Sequence, residues 1–155
     1  MSRTTHETTK VYFLTTVVDI DEPTEAEIAA GTHLTAQVPV DGVEFSPSRN
    51  TASQAMLGDA FVAEQVGTWS ESITLTFARD DTNDVPRALF AVFRTEGFLL
   101  ISRFGTPEDG MAVEVYPVQS HMVADLATAE NEYSKYQVTF AVTDTPAKDA
   151  VVAAS

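Results

Sequence analysis

Apolar and polar residues alternate with a period of two over much of this chain, the spacing of strands with one buried face. Residues 69–79 carry the cleanest case. Trp69, Ile73, Leu75 and Phe77 fall on one face, interrupted by Glu71, and Ser70, Ser72, Thr74, Thr76 and Ala78 fall on the other. Residues 133–143 repeat the pattern, with Tyr136, Val138, Phe140 and Val142 against Lys135, Gln137 and Thr139. Residues 10–19 read as a strand through Tyr12, Phe13, Leu14, Val17 and Val18, stopped by the breaker at 20–23. Residues 33–40 read as another, with Leu34, Ala36, Val38 and Val40 on one side. Asp41-Gly42 then gives a hairpin turn signal, and 43–45 returns briefly. Residues 98–104 form a near-continuous apolar run, and 111–119 the next strand.

Helical signals are few. Thr24 followed by Glu27 is a capping-box pattern, and Gly31 offers a stop, which predicts one or two turns. Asp84 can cap a second helix carrying Val85, Leu89, Val92 and Phe93 on one stripe, with Pro86 in its first turn and Gly97 after it. Residues 46–60 are small and polar and read as a long excursion or an extended hairpin. Residues 120–132 read as a connection of mixed pattern, and 144–155 as a flexible arm. The expectation is a single domain over 1–155 that is mainly β: an antiparallel β-sandwich or partial barrel with one flanking α-helix and one short helix. Its added features are a long loop around 41–60 and a C-terminal arm at 144–155.

Composition changes that picture through charge. Nine Lys and Arg stand against 23 Asp and Glu, a net charge of −14 in 155 residues. Such a surface repels phosphate, which argues against nucleic-acid binding through counterion release and against anionic membranes. No apolar run reaches the roughly 18 residues of a membrane span. The polar start of the chain does not read as a signal peptide, so the expected setting is soluble. Absent cysteine removes disulfides, zinc-thiolate sites and thiol nucleophiles.

Candidate chemistry is thin. His6, His33 and His121 are far apart and in no ligand-like pair. The acidic runs at 19–22 and 80–84 lack the glycine and glutamate of a calcium loop, and they sit where acids cap helices. There is no Gly-x-Ser-x-Gly elbow and no glycine-rich phosphate loop. Paired carboxylates carry no information in so acidic a chain. The expectation is no enzyme, no metal and no cofactor. Arms, an excursion and a hydroxyl-rich sheet face suit assembly instead.

Four stretches carry a resemblance. They are Glu25-Ala26-Glu27-Ile28-Ala29-Ala30-Gly31-Thr32, Trp69-Ser70-Glu71-Ser72-Ile73-Thr74-Leu75-Thr76-Phe77, Val113-Glu114-Val115-Tyr116-Pro117-Val118-Gln119 and Val138-Thr139-Phe140-Ala141-Val142-Thr143. In this order and spacing the chain resembles the major tail tube proteins of long-tailed, siphovirus-type bacteriophages infecting actinobacteria. The resemblance implies a β-sandwich with a flanking helix, sixfold rings of identical copies, and stacking of rings into a hollow tube through which DNA passes. It implies partners in the tape measure, tail tip and tail terminator proteins, and no cofactor. Its setting is the virion tail, with synthesis in the host cytoplasm.

Acidity then has a use, because a wall without cations lets DNA slide. Alternation nominates Thr35, Gln37, Glu44, Asp59, Glu64, Thr74, Thr76, Gln137 and Thr139 as lumen-facing, with Lys135 of the wrong sign if its face lines the lumen. The contacts between subunits or rings are expected at Asp41, Gly42, Pro47, Arg49, Asn50, Met56, Leu57, Pro146, Val151 and Val152. Three other readings compete. A monomeric β-sandwich accessory or binding domain of a virion would expose aromatics, whereas Trp69 is placed on an apolar face. A ring-forming tail terminator or head–tail joining protein would not stack. A small acidic hydrolase or ligand-binding barrel would need a pocket with shifted carboxylates.

Overall fold

A computed structural model describes residues 9–39, 42–54, 57–58, 60–61, 63–79, 82, 84–91, 94–127 and 134–154. The described residues form one antiparallel β-sheet of eight strands with two short helices, the mainly β class expected from the alternation. The strands are β1 (Lys10–Leu14), β2 (Thr32–His33), β3 (Val43–Gln54), β4 (Ala63–Ala78), β5 (Glu96–Ser102), β6 (Ala112–Asp125), β7 (Lys135–Val142) and β8 (Ala147–Val151). Their order across the sheet is β2-β1-β5-β6-β7-β4-β3, with β8 against β6.

The sheet buries two separate apolar clusters, and strand parity decides which residues enter each. Val11 and Phe13 of β1, Leu99 and Ile101 of β5, and Tyr116 and Val118 of β6 pack with Ile73, Leu75 and Phe77 of β4 and Tyr136, Val138 and Phe140 of β7. Alternate residues of the same first strands, Tyr12, Leu14, Leu100, Val113 and Val115, pack under helix α1 (Glu25–Ala30) and β8 through Ile28, Ala147, Ala150 and Val152. Strands β1, β5 and β6 are therefore covered on both faces, which explains the unbroken apolar run that begins at Phe98. Strands β4 and β7 are buried on one face only, which explains their clean alternation.

Helix α1 is set by its cap. Thr24 Oγ1 accepts from Glu27 N at 3.1 Å, and a Glu27 carboxylate oxygen accepts from Thr24 N at 3.0 Å. Helix α2 (Val85–Leu89) is one turn, shorter than the stripe predicts. Its buried anchor is Phe90, which meets Phe13 and Phe140 edge-on at 5.1 and 5.0 Å, while Val85 is exposed. The helix stops before the predicted stripe completes a second turn, so the residue after its end turns into the core. Val92 and Phe93 lie outside the described residues.

Four further expectations are corrected. Residues 33–40 are not a strand: after the two-residue β2 the chain forms a 3-10 turn at Thr35–Gln37. Thr35 Oγ1 there accepts from Val11 N, and Gln37 Nε2 donates to the Ala78 carbonyl, so side chains take the place of a ladder. Residues 46–54 are not a loop but continue β3, the extended-hairpin form of the expectation. The mixed stretch after Ser120 continues β6 to Asp125. Residues 147–151 are not a loose arm. They form β8, pairing Ala147 with Val115 and Val151 with Ala112.

Strands β7 and β8 run in succession along one edge of β6, and the gap between them falls at Pro117. Proline has no N–H to give to a ladder, and the Thr143 N–H instead donates to the Pro117 carbonyl as the chain leaves β7.

Candidate functional site

Five of the nine lumen candidates come together on one face. Glu44 of β3 sits opposite Thr74 of β4, and Thr74 sits opposite Thr139 of β7. In the next row Thr76 sits opposite Gln137, whose Nε2 donates to Thr76 Oγ1 at 3.5 Å. Ser46, Ser72 and Ala141 extend this face in one direction, and Lys135 lies at its other end beside Ala78. The face is the outer side of strands whose opposite side fills the first core cluster, and no apolar cluster among the described residues packs on it.

The other lumen candidates lie elsewhere. Thr35 and Gln37 are occupied inside the fold, Gln37 Nε2 also reaching Asp84 Oδ1 at 3.0 Å. Asp84 caps α2 through Arg87 N and accepts from the Tyr136 hydroxyl. Arg87 in turn meets Asp125 at 2.7 Å, which lowers the Asp125 carboxyl from its ordinary value. Glu64 lies opposite Ser53 in the distal hairpin, and Asp59 lies outside the described residues.

That hairpin runs past the rest of the β4–β7 ladder. Strands β3 and β4 pair from Val43↔Leu75 to Gln54↔Ala63, but the β4–β7 ladder begins only at Ser72. The nine residues from Ala63 to Glu71 therefore project roughly 30 Å beyond it, at about 3.3 Å per residue. A bulge between Arg49 and Thr51 sets one residue of β3 against two of β4, and Asn50 Nδ2 bonds Thr68 Oγ1 there. The outer edge of β3 pairs with no strand among the described residues, whereas the opposite edge of the sheet ends in the two-residue β2. A long open edge is a template for another chain.

The contact candidates divide. Pro47, Arg49 and Pro146 line one open groove of about 660 Å³ with Trp69 and Lys148. Asn50, Leu57 and Val151 are exposed. Gly42 and Val152 are instead buried within their own chain. A Cβ at Gly42 would come within 2.9 Å of the Thr76 carbonyl, and the close approach lets Thr76 N donate to the Gly42 carbonyl. Asp41 and Met56 lie outside the described residues.

Two features escaped the sequence reading. Glu71, the acid on an apolar face, is buried with its side chain 3% exposed, and Lys148 Nζ lies 3.3 Å from its Oε2. The interruption of the alternation was the signal for a partner, but that partner lay in the supposed arm. Arg103 pairs with Glu114, which also accepts from the Tyr116 hydroxyl at 3.0 Å. Among the described residues no group of His, Asp and Glu is placed to hold a metal.

A family model of the phage tail tube protein matches residues 1–155. The chain belongs to the phage tail tube protein family. Tail tube proteins are structural components of the virion tail, assemble from many subunits with other tail components, and are not an enzyme class. Similar solved structures agree in fold. A chain from the virion of a native gene transfer agent particle matches with TM-score 0.54 and 14% identity over 93% of this chain and 97% of that one. A chain from the anti-feeding prophage baseplate, 6-fold symmetrised, gives TM-score 0.60 and 8% identity over 93% of each. One from the tail of an empty gene transfer agent particle, refined helically with C6 symmetry, gives 0.52 and 16% over 78% and 89%. A search of curated proteins gives no match.

Proposed function

We propose that this tail tube protein forms hexameric rings that stack into a hollow tube, and that the Glu44–Thr74–Thr139 face lines its lumen as the conduit for DNA. The observation that carries the reading is the pairing of an uncovered hydroxyl-rich face with the open β3 edge on the same strands. Closing that edge against a second copy would continue the polar face around a ring. The sixfold symmetry of two similar assemblies supports six copies.

The face suits DNA transit by what it lacks. Its polar groups are neutral or acidic except Lys135 at one end, so no row of cations holds phosphates. The projecting hairpin reaches beyond the sheet and serves as the link to the neighbouring ring. The tape measure, tail tip and terminator proteins are the expected contacts at the tube's interior and ends. The sequence resemblance supports reading the tube as that of a long-tailed phage of actinobacteria, with synthesis in the host cytoplasm.

Electron microscopy of the purified protein at rising concentration, with and without isolated tail tips, tests the reading. Hollow sixfold rings or tubes are expected. Deletion of 46–57 is expected to abolish stacking. Stable tubes from that deletion, or wild-type protein that stays monomeric on tail tips, would contradict it.

A further inference from the structure

The groove around Trp69 has more chemistry than the fold uses. Trp69 is the single tryptophan of the chain and is 39% exposed. The Arg49 guanidinium carbon lies 5.9 Å from its ring centroid and Lys148 Nζ 5.6 Å. Cations over an indole favour an arrangement that still leaves their other donors open. Lys148 is balanced by Glu71, and Asp149 also lines the groove. Arg49 is exposed and makes no ion pair among the described residues. Two of the nine basic residues of a −14 chain thus flank one exposed aromatic.

The complement is on the same molecule. No Lys or Arg occurs between Lys10 and Arg49. Within that span the segment joining β1 to α1 presents Val18, 91% exposed, followed by exposed Asp19, Asp21 and Glu22. It is held in shape: Val18 N donates to Glu27 Oε2, Asp21 N to Asp19 Oδ1, and Val151 N to the Asp21 carbonyl. The acidic segment therefore sits at the end of β8, while the groove sits at its start through Pro146 and Lys148.

Resting on the tube reading, we infer that the groove of Arg49, Trp69 and Lys148 receives segment 17–22 of a second copy of this chain. Val18 packs on the indole, and Asp21 and Glu22 meet Arg49. The two patches differ, so the contact is head-to-tail, and each added copy presents a fresh half of the next contact. An exposed apolar residue flanked by acids fits an aromatic flanked by cations in both charge and polarity.

The test uses the full chain. Trp69 fluorescence is followed during assembly, and Arg49→Glu, D21K/E22K and their combination are compared for assembly by sedimentation. The inference expects a blue shift and protection from acrylamide when wild-type protein assembles. Each single-site set raises the concentration needed by about tenfold or more, and the combination recovers most of that loss. Unchanged Trp69 emission in assembled wild-type protein overturns the inference without folding any variant, and leaves the tube reading standing. Arg49→Glu assembling normally, or no recovery in the combination, does the same. Wild-type protein that never assembles overturns the tube reading and this contact with it.

Discussion

Removing Lys148 should cost far more than removing its partner. The Glu71 side chain is 3% exposed and that of Lys148 48%, and among the described residues Oε2 of Glu71 has no partner besides the Lys148 ammonium. Lys148→Met strands a buried carboxylate. Breaking a fully buried pair in this way costs about 3–5 kcal/mol, and water entering through the open groove reduces this to about 2–4 kcal/mol. Glu71→Leu strands only an ammonium already half in water and extends the apolar row of Ile73, Leu75 and Phe77. Its expected cost is within about 1 kcal/mol of zero. The double variant Glu71→Leu/Lys148→Met leaves no unpaired charge and should return to within about 1 kcal/mol of wild type, a coupling of about 2–4 kcal/mol. For a chain of this length about 1 kcal/mol moves Tm by about 2–4 °C, so Lys148→Met should lower Tm by about 4–16 °C. Urea unfolding and calorimetry of the three variants measure all of this. Equal costs for the two single variants, or a Lys148→Met cost under about 0.5 kcal/mol, would mean that Lys148 does not compensate a buried Glu71 carboxylate.

Other outcomes follow from the same structure. Phe90→Ala removes the ring packed between Phe13 and Phe140 and should destabilise by about 3–5 kcal/mol in urea unfolding, whereas Val85→Ala should be near neutral. Thr24→Ala breaks the capping box and should cost about 1 kcal/mol. Burial pushes the Glu27 carboxyl up, but hydrogen bonds from Thr24 and Val18 outweigh it and hold it below its ordinary 4.5. The stabilisation from Glu27 is therefore full above the unfolded value and lost as pH falls through the folded one, so Thr24→Ala should cost less in acid. Tyr116 and Tyr136 are raised above 10.0 by burial and then by Glu114 and Asp84 respectively. Their contribution is full below pH 10 and lost as pH rises through the folded values, so ultraviolet titration should find both hydroxyls ionising only as the fold opens. Thr74→Lys with Thr139→Lys should leave tubes intact but slow DNA release from assembled particles, with the effect shrinking as salt rises.

Much of the sheet was legible because one-sided burial writes itself as alternation. Strands β4 and β7 each hide one face, and their apolar and hydroxyl positions were read in correct phase. Thr24 and Glu27 announced α1 because a capping box satisfies its donors locally. The misreadings have a common cause in contacts far along the chain. Leu34, Ala36 and Val38 alternate, yet the backbone there is held by Thr35 to Val11 and Gln37 to Ala78, bonds that no local pattern encodes. Beyond Phe45, residues 46–51 of β3 are exposed, so Ser46, Ser48 and Asn50 carry no apolar periodicity. Residues 147–152 looked loose because Ala147, Ala150 and Val152 are small, although they close the second core cluster. The polar face was therefore nameable from sequence at Glu44, Thr74, Thr76, Gln137 and Thr139. Trp69 was placed with the apolar row correctly, but that row runs past the end of the core, where its face becomes a groove.

The most direct test of the tube account is a cryo-electron microscopy map of the assembled protein at side-chain detail. The expected map shows a hollow sixfold tube with Glu44, Thr74, Thr76, Gln137 and Thr139 facing the lumen and the β3 edge paired with a neighbouring copy. A tube with that face outward, or with the β3 edge open to solvent, would contradict it.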